Sequence, residues 1–231
     1  MPVPAAVLLD VGGVFLVPDH DRIRGAFERA TCAISIDDLD RAHYAGARGF
    51  PIADQLDWPR QWRSYLDAYI DACNVPVDMR EEVHLHLDSE FADAALWIRE
   101  VAGARAGLRE LETAGVRLGI VSNADGLIGQ RLAELEILQV GPGAGVAVEC
   151  IIDSGAVGVM KPDPRIFRIA LEALGLEPED VWYVGDMPGI DVVGARAAGI
   201  RPFIIDPFDL HDGADYERIG SLTELATTIA H

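Results

Sequence analysis

The sequence predicts an α/β protein: a doubly wound, Rossmann-like parallel-sheet core carrying an inserted α-helical cap. Three observations predict it. Val7-Leu8-Leu9 is a short apolar run ending in Asp10-Val11-Gly12-Gly13, the pattern of a buried strand running into a tight turn. Residues 19–95 then show only helical periodicity. From Trp97 onward, short apolar runs alternate with helical segments. Such alternation requires crossover connections, and therefore a parallel sheet with helices on both faces.

Taken in order, the helical block places Ile23, Phe27 and Ala30 on one face, then Trp58, Trp62, Tyr65 and Tyr69, then Val83, Leu87, Phe91 and Ala94. No strand is expected within it. Beyond it the spacing predicts a helix over 101–114, a strand over 116–121 and a helix from about residue 126. The glycine-rich stretch 141–145 reads as a flexible connection, lacking the lysine-serine ending of a nucleotide loop. A second apolar run follows at 146–152, then a helix over 164–174, a strand over 181–184, a helix over 189–198 and a strand over 203–205. The first strand belongs to the same sheet, so the block is an insertion after it. Residues 1–16 and 96–231 form the core, and 17–95 the cap.

Composition narrows the function classes. The chain has 231 residues, 50% hydrophobic and 25% charged, which excludes disordered, collagen-like and disulfide-dense proteins. That length suits one large domain, or a core of roughly 150 residues with a smaller insert. No apolar run approaches the ~20 residues that cross a bilayer, and residues 1–10 lack a basic start, so neither a signal peptide nor a membrane anchor is expected. Cys32, Cys73 and Cys150 lie far apart without metal-ligand spacing and read as free thiols of a cytoplasmic chain. With 38 acidic against 19 basic residues the net charge is −19. Such a surface repels a phosphate backbone, so no nucleic-acid partner is expected, and with no membrane-spanning run no membrane partner either; acidity alone names no other partner. The sequence sets no oligomeric state.

In doubly wound sheets, ligands sit beyond the carboxyl ends of the strands. There the sequence delivers Asp10, then Ser122-Asn123, then Asp186, with Lys161 in the loop before the 164–174 helix. A strand-ending aspartate is by itself often a turn or helix cap. Four segments together say more. Leu8-Leu9-Asp10-Val11-Gly12-Gly13-Val14, Ile120-Val121-Ser122-Asn123, Gly158-Val159-Met160-Lys161-Pro162-Asp163-Pro164 and Val184-Gly185-Asp186-Met187-Pro188-Gly189-Ile190-Asp191 resemble, in family order, the four motifs of the haloacid dehalogenase-like hydrolase superfamily. The insert between the first two lies where that superfamily carries its helical type 1 cap.

The resemblance implies a hydrolase, most simply a phosphatase acting on a small phosphorylated metabolite through an aspartyl-phosphate. Asp10 is then the nucleophile. Ser122, Asn123 and Lys161 bind the phosphoryl group, Ser122 and Lys161 also serving catalysis. Carboxylate and phosphate repel, so Mg²⁺ is expected on the Asp10 carboxylate, the Gly12 carbonyl and Asp186. Asp191 is placed to hold metal-bound water or to orient Lys161.

One position departs from the pattern. Family phosphatases usually carry a second aspartate two residues after the nucleophile, as general acid and base; this chain has Gly12. Asp19 or His20, at the entry to the cap, are candidate substitutes. The same absence occurs in the superfamily's 2-haloacid dehalogenases, which makes dehalogenation the alternative. Retention of Asp186 favours the phosphate substrate. A phospho-ligand-binding module without turnover is the third reading. In the cap, His84 and His86 lack further metal ligands and read as surface or satisfied residues, and Trp58, Trp62 and Tyr65 as cap core. Arg41, Arg48 and Phe50 sit in a loop-like cap segment, where substrate contact is a candidate role beside the favoured one of ordinary cap residues.

Overall fold

The computed structural model describes residues 3–35, 37–52 and 57–230. β1 (Ala6–Leu9) has four fully buried apolar residues. Apolar side chains at every position suit a strand covered on both faces. After it come a turn and β2 (Leu16–Pro18), then the helices α1 (His20–Arg29), α2 (Asp37–Gly49), α3 (Trp58–Ala72) and α4 (Arg80–Phe91). β3 (Trp97–Glu100) returns antiparallel to β2, forming a ribbon at the neck of the insert. The chain then runs through α5 (Ala104–Thr113), β4 (Arg117–Ser122), α6 (Ile128–Glu134), β5 (Leu138–Val140), β6 (Val146–Val148) and β7 (Cys150–Asp153). It continues through α7 (Ser154–Val157), α8 (Pro164–Leu174), β8 (Val181–Gly185), α9 (Asp191–Ala197), β9 (Arg201–Ile205), β10 (Glu217–Ile219) and α10 (Leu222–Ala230).

Six strands make one parallel sheet in the order β10-β9-β8-β1-β4-β7. From β1 the chain moves outward to β4 and β7, then crosses back to β8 and continues outward on the other side. The order therefore reverses between β1 and β8, which opens a crevice at their carboxyl ends. Alternation along each strand divides the core in two. Val7, Leu9, Ile120 and Val184 pack with Leu108 of α5 and Leu225 of α10. Ala6, Leu8, Val181 and Tyr183 pack with Phe167 of α8 and Ala195 of α9.

Helices α1 to α4 bury a separate core around Phe27, Tyr65, Tyr69 and Leu87. Each body lends the other a side chain: Tyr44 of α2 packs into the sheet's core, and Ile190 into that of the helices. Helix starts follow local chemistry. Asp19 caps α1 by accepting from the Asp21 and Arg22 amides, and Asp163 caps α8 ahead of Pro164.

Several elements differ from the sequence expectation. The apolar run 146–152 is two strands: β6 pairs with β5 in a small separate sheet, and β7 joins the main one. Glu149 divides them, its amide bonded to the Leu118 carbonyl and its carboxylate to Arg117. The 141–145 connection is stitched rather than loose, because the Gln139 amide bonds the Gly141 carbonyl and both backbone groups of Gly145. The helix expected from residue 126 begins at Ile128, since the Asp153 carboxylate takes the Gly126 and Ile128 amides. Beyond residue 205 the reading assigned no elements, and β10 and α10 lie there. Among the described residues no helix is long and apolar enough to cross a membrane, and Cys32, Cys73 and Cys150 are free thiols.

α10 docks where α5 has no side chain. A Cβ on Gly107 would lie 2.5 Å from Leu222 Cβ and 2.6 Å from the Thr223 amide nitrogen. Gly107→Val is expected to cost about 1–3 kcal/mol, read as a lower urea midpoint. Just past β9, burial raises the Asp206 carboxyl's pKa, but the Leu210 and His211 amides and Arg218 outweigh burial and hold it below the usual range. Its contribution to stability is present above about pH 4 and is lost as the pH falls through the folded-state value. The stability difference between wild type and Asp206→Asn is therefore expected to shrink from pH 5 to pH 3 in urea titrations.

Candidate active site

Four chain segments meet at the reversal of strand order. The Asp10 amide still bonds the Val184 carbonyl, continuing the ladder, and its side-chain Oδ1 accepts from the Val11 amide at 2.7 Å. Val11 then turns the chain sharply, its carbonyl accepting from the Phe15 and Leu16 amides. Gly13 sits at φ +65°, and a Cβ there would lie 2.4 Å from the Asp186 Cγ. Glycine is thus required at 13 both for the backbone and to admit a carboxylate.

Lys161 joins the segments. Its side chain is 1% exposed, and its Nζ lies 2.6 Å from Asp10 Oδ2, 2.8 Å from Asp191 Oδ1 and 2.7 Å from the Tyr183 hydroxyl. The Tyr183 hydroxyl also donates to Asp191 Oδ1 at 2.9 Å. Burial by itself lowers the pKa of the Lys161 ammonium, but attraction to Asp10 and Asp191 outweighs burial and leaves it raised. Burial pushes the Asp10 carboxyl up to about 6, with Lys161 opposing. Burial also raises the Asp186 carboxyl.

The other expected residues fall around this group. Ser122 ends β4, is buried, and lines the same cavity as Asp10. Asn123 borders that cavity, but its amide is engaged by the Lys161 main chain, donating to the carbonyl at 3.0 Å and accepting from the amide at 2.7 Å. Its geometry is that of a residue positioning Lys161. Asp191 uses Oδ2 on the Asp186 and Met187 amides, so it shapes the turn bearing Asp186 as well as holding Lys161. It comes this close because residue 185 is glycine, where a Cβ would lie 2.3 Å from the Asp191 Cγ. Oxygens of Asp10, Asp186 and Asp191 all lie within 4.8 Å of one another. Gly12 lines the cavity, and the Trp97 ring stands 3.4 Å from the place its Cβ would occupy.

The structure corrects several cap assignments. Arg41 and Arg48 belong to α2, not a loop, and face a separate cleft of about 670 Å³ against residues 210–216. Phe50 is buried in the cap core, tilted against Trp58 at 5.7 Å. The residue of α2 that reaches the site is His43, roughly 200° round the helix from Arg41. Its Nε2 lies 3.0 Å from Asp186 Oδ2 without being aligned as a hydrogen bond, while Nδ1 pairs with the Tyr65 hydroxyl. The next residue, Tyr44, donates to the Gly13 carbonyl at 2.7 Å. Asp19 caps α1, and His20 bonds Asp40. Neither lines the cavity, so neither stands in for the side chain missing at Gly12. Trp58 and Trp62 are half-buried and wall the cavity as well as packing in the cap; Tyr65 is wholly cap core. His84 is buried beside Asp88, away from the aspartate cluster, and no metal-binding group among the described residues includes His84 or His86.

His43, Tyr183 and Asp153 were not singled out by sequence reasoning. Tyr183 reads as one more residue of a buried strand. His43 carries no signal beyond being a histidine on a helix. Asp153 ends β7 as Asp10 ends β1, and strand-end position was the signal that would have found it.

The Lys161 ammonium is the cation bonded to both Asp10 and Asp191. Lys161→Met is expected to lower stability by about 3–5 kcal/mol, the cost of leaving buried carboxylates unpaired, measured by chemical unfolding at pH 7.

Comparison with known proteins agrees with this geometry. The family model for haloacid dehalogenase-like hydrolases matches residues 4–199. The chain is 40% identical over 126 residues to a phosphoserine phosphatase of Thermus thermophilus, covering 53% of this chain and 48% of that protein. It is 34% identical over 124 residues to a phosphoglycolate phosphatase of Rhodospirillum rubrum, covering 54% and 46%. The chain thus spans about half the length of these curated relatives. Among solved structures, a predicted phosphoglycolate phosphatase from Haemophilus somnus superposes with a TM-score of 0.58 at 16% identity, over 99% of both chains. The HAD-hydrolase YfnB from Bacillus subtilis, bound to magnesium, superposes at 0.57 and 18% identity over 100% of both. At these identities the likeness is one of fold. With the family model spanning the helical insert and all four motifs, the chain belongs to the haloacid dehalogenase-like hydrolases.

Proposed function

We propose that this hydrolase is a Mg²⁺-dependent phosphatase that acts on a small phosphorylated metabolite through an aspartyl-phosphate on Asp10. One observation carries the reading: Asp10 shares a buried cluster with Asp186 and Asp191, and Asp186 Oδ2 lacks a hydrogen-bond donor. Three carboxylates face one ammonium, so the cluster carries excess negative charge in a buried place. A buried carboxylate oxygen without a donor is what a hard cation satisfies. Asp10, the Gly12 carbonyl and Asp186 would hold Mg²⁺, whose charge offsets the repulsion between the Asp10 carboxylate and an incoming phosphate.

The chain's own residues supply the rest. An Asp10 oxygen attacks phosphorus, and the bond to the leaving oxygen breaks. The Ser122 hydroxyl, at the end of β4, and the Lys161 ammonium hold the phosphoryl oxygens. Asp191, Tyr183 and Asn123 keep Lys161 in place by bonds to its side chain and main chain. Water then attacks phosphorus and returns Asp10 to its free carboxylate. The cap excludes bulk water during the first displacement.

Acetyl phosphate tests the reading, because its leaving group needs no proton. Phosphate release is expected with Mg²⁺ and not with EDTA, and Asp10→Asn is expected to reduce it by about 10³-fold or more. In parallel, Mg²⁺ is expected to raise the melting temperature of wild type but not of Asp186→Asn. Chloride release from a 2-chloro acid in EDTA would replace this reading with the dehalogenase one. Phosphate binding without turnover would replace it with that of a binding module.

A further inference from the structure

We propose that the substrate is an aryl phosphate, a phosphomonoester whose leaving group is a phenol. The proposal rests on the phosphatase reading and deepens it, and two features of the cavity carry it independently.

The first is that the described residues offer the leaving oxygen no free acid. At Gly12 no side chain extends toward it, and a Cβ there would meet the Trp97 ring in ordinary contact at 3.4 Å. Each described titratable side chain lining the cavity is already committed. Asp10 is the nucleophile, and Lys161 is bonded to Asp10 and Asp191. Asp186 is a metal ligand in the phosphatase reading, and Asp125 is paired through both oxygens with Arg131. An alkoxide, about as basic as hydroxide, leaves badly without a proton. A phenolate, with a conjugate acid near 10, leaves without one.

The second is the wall. The cavity of about 370 Å³ is bounded on the cap side by Trp58, Trp62, Phe91 and Trp97, and on the core side by Met187 and Ile190. Trp62 meets Phe91 edge-on at 5.5 Å, and Phe91 meets Trp97 edge-on at 6.2 Å, so these three rings adjoin along the wall. Trp62 is stacked on Tyr65 at 4.7 Å, and Trp58, Trp62 and Trp97, each only half-buried, leave part of their indole surface on the cavity for another ring to cover. Among the described lining residues the cations are Lys161 and Arg131, both already paired, so no free cation awaits a substrate carboxylate.

The reaction balances without a protein acid. An Asp10 oxygen bonds to phosphorus while the phosphorus–aryloxide bond breaks, and the electron pair leaves on the phenolate, which takes its proton from water. A second water then attacks phosphorus, giving phosphate and the Asp10 carboxylate, and the proton it sheds neutralises the hydroxide left by the first. The sum is aryl phosphate plus water going to phenol plus inorganic phosphate.

The test is a substrate series on the wild-type protein with Mg²⁺: substituted phenyl phosphates, phosphoglycolate, phosphoserine and acetyl phosphate. The kcat/KM for phenyl phosphate is expected to exceed those for phosphoglycolate and phosphoserine by about 100-fold or more. Within the phenyl series it should rise steeply as the phenol becomes more acidic, the signature of a leaving group that receives no proton. Trp58→Ala and Trp62→Ala are expected to lower the ratio of phenyl to acetyl phosphate kcat/KM at least about tenfold, through KM. Three results would overturn the proposal while leaving the phosphatase reading intact: carboxylate esters turned over as well as phenyl phosphate, a flat phenyl series, or acetyl phosphate hydrolysed and phenyl phosphate not. An unchanged ratio in folded tryptophan variants overturns the wall as the ring's site. No phosphate release from any compound, acetyl phosphate included, overturns the phosphatase reading itself.

Discussion

The arrangement depends on one buried ammonium set between carboxylates. Lys161 bonds Asp10 and Asp191 at once, inside a cluster that also holds Asp186. Buried charges persist only when paired and hydrogen-bonded, and the neighbouring elements meet that requirement. Asn123 clamps the Lys161 peptide from β4, Tyr183 offers its hydroxyl from β8, and Asp191 braces the turn bearing Asp186. The glycines at 13 and 185 belong to the same account, since a Cβ at either would collide with one of these carboxylates.

The cap is bound to this centre by more than the neck ribbon. His43 and Tyr44 of α2 reach Asp186 and the Gly13 carbonyl, so a helix of the insert touches both acidic motifs. Trp97 sits on β3, one strand of the ribbon, with its ring over Gly12. The ribbon thus sets an aromatic ring against the backbone of the first motif.

Much of the site was legible because strand ends announce themselves. Asp10, Ser122 and Asp186 each follow an apolar run, and a doubly wound sheet brings those ends together. The glycine at 12 was equally legible, but what lies against it was not, because Trp97 lies 85 residues along the chain. Trp58 and Trp62 read as cap core because helical spacing reports that a face is apolar, not what covers it. Arg41, Arg48 and Phe50 were read as one loop, a candidate for substrate contact. The helix rotates Arg41 and Arg48 away, and Phe50 is buried in the cap core, while His43 and Tyr44, between the two arginines, make the contact.

By itself the sequence determined the alternation of strands and helices through most of the core, the helical character of the segment after the first strand and the residue types at the carboxyl ends of the central strands. Those follow from local periodicity and from turn chemistry within a few residues. Only the tertiary structure decided which side chains share the one ammonium, which carboxylate oxygen goes without a donor, and which indoles line the cavity. Charge pairing and burial depend on distances between residues far apart in the chain. Those distances exist only once β8 lies beside β1 and α2 has docked against the turn after it.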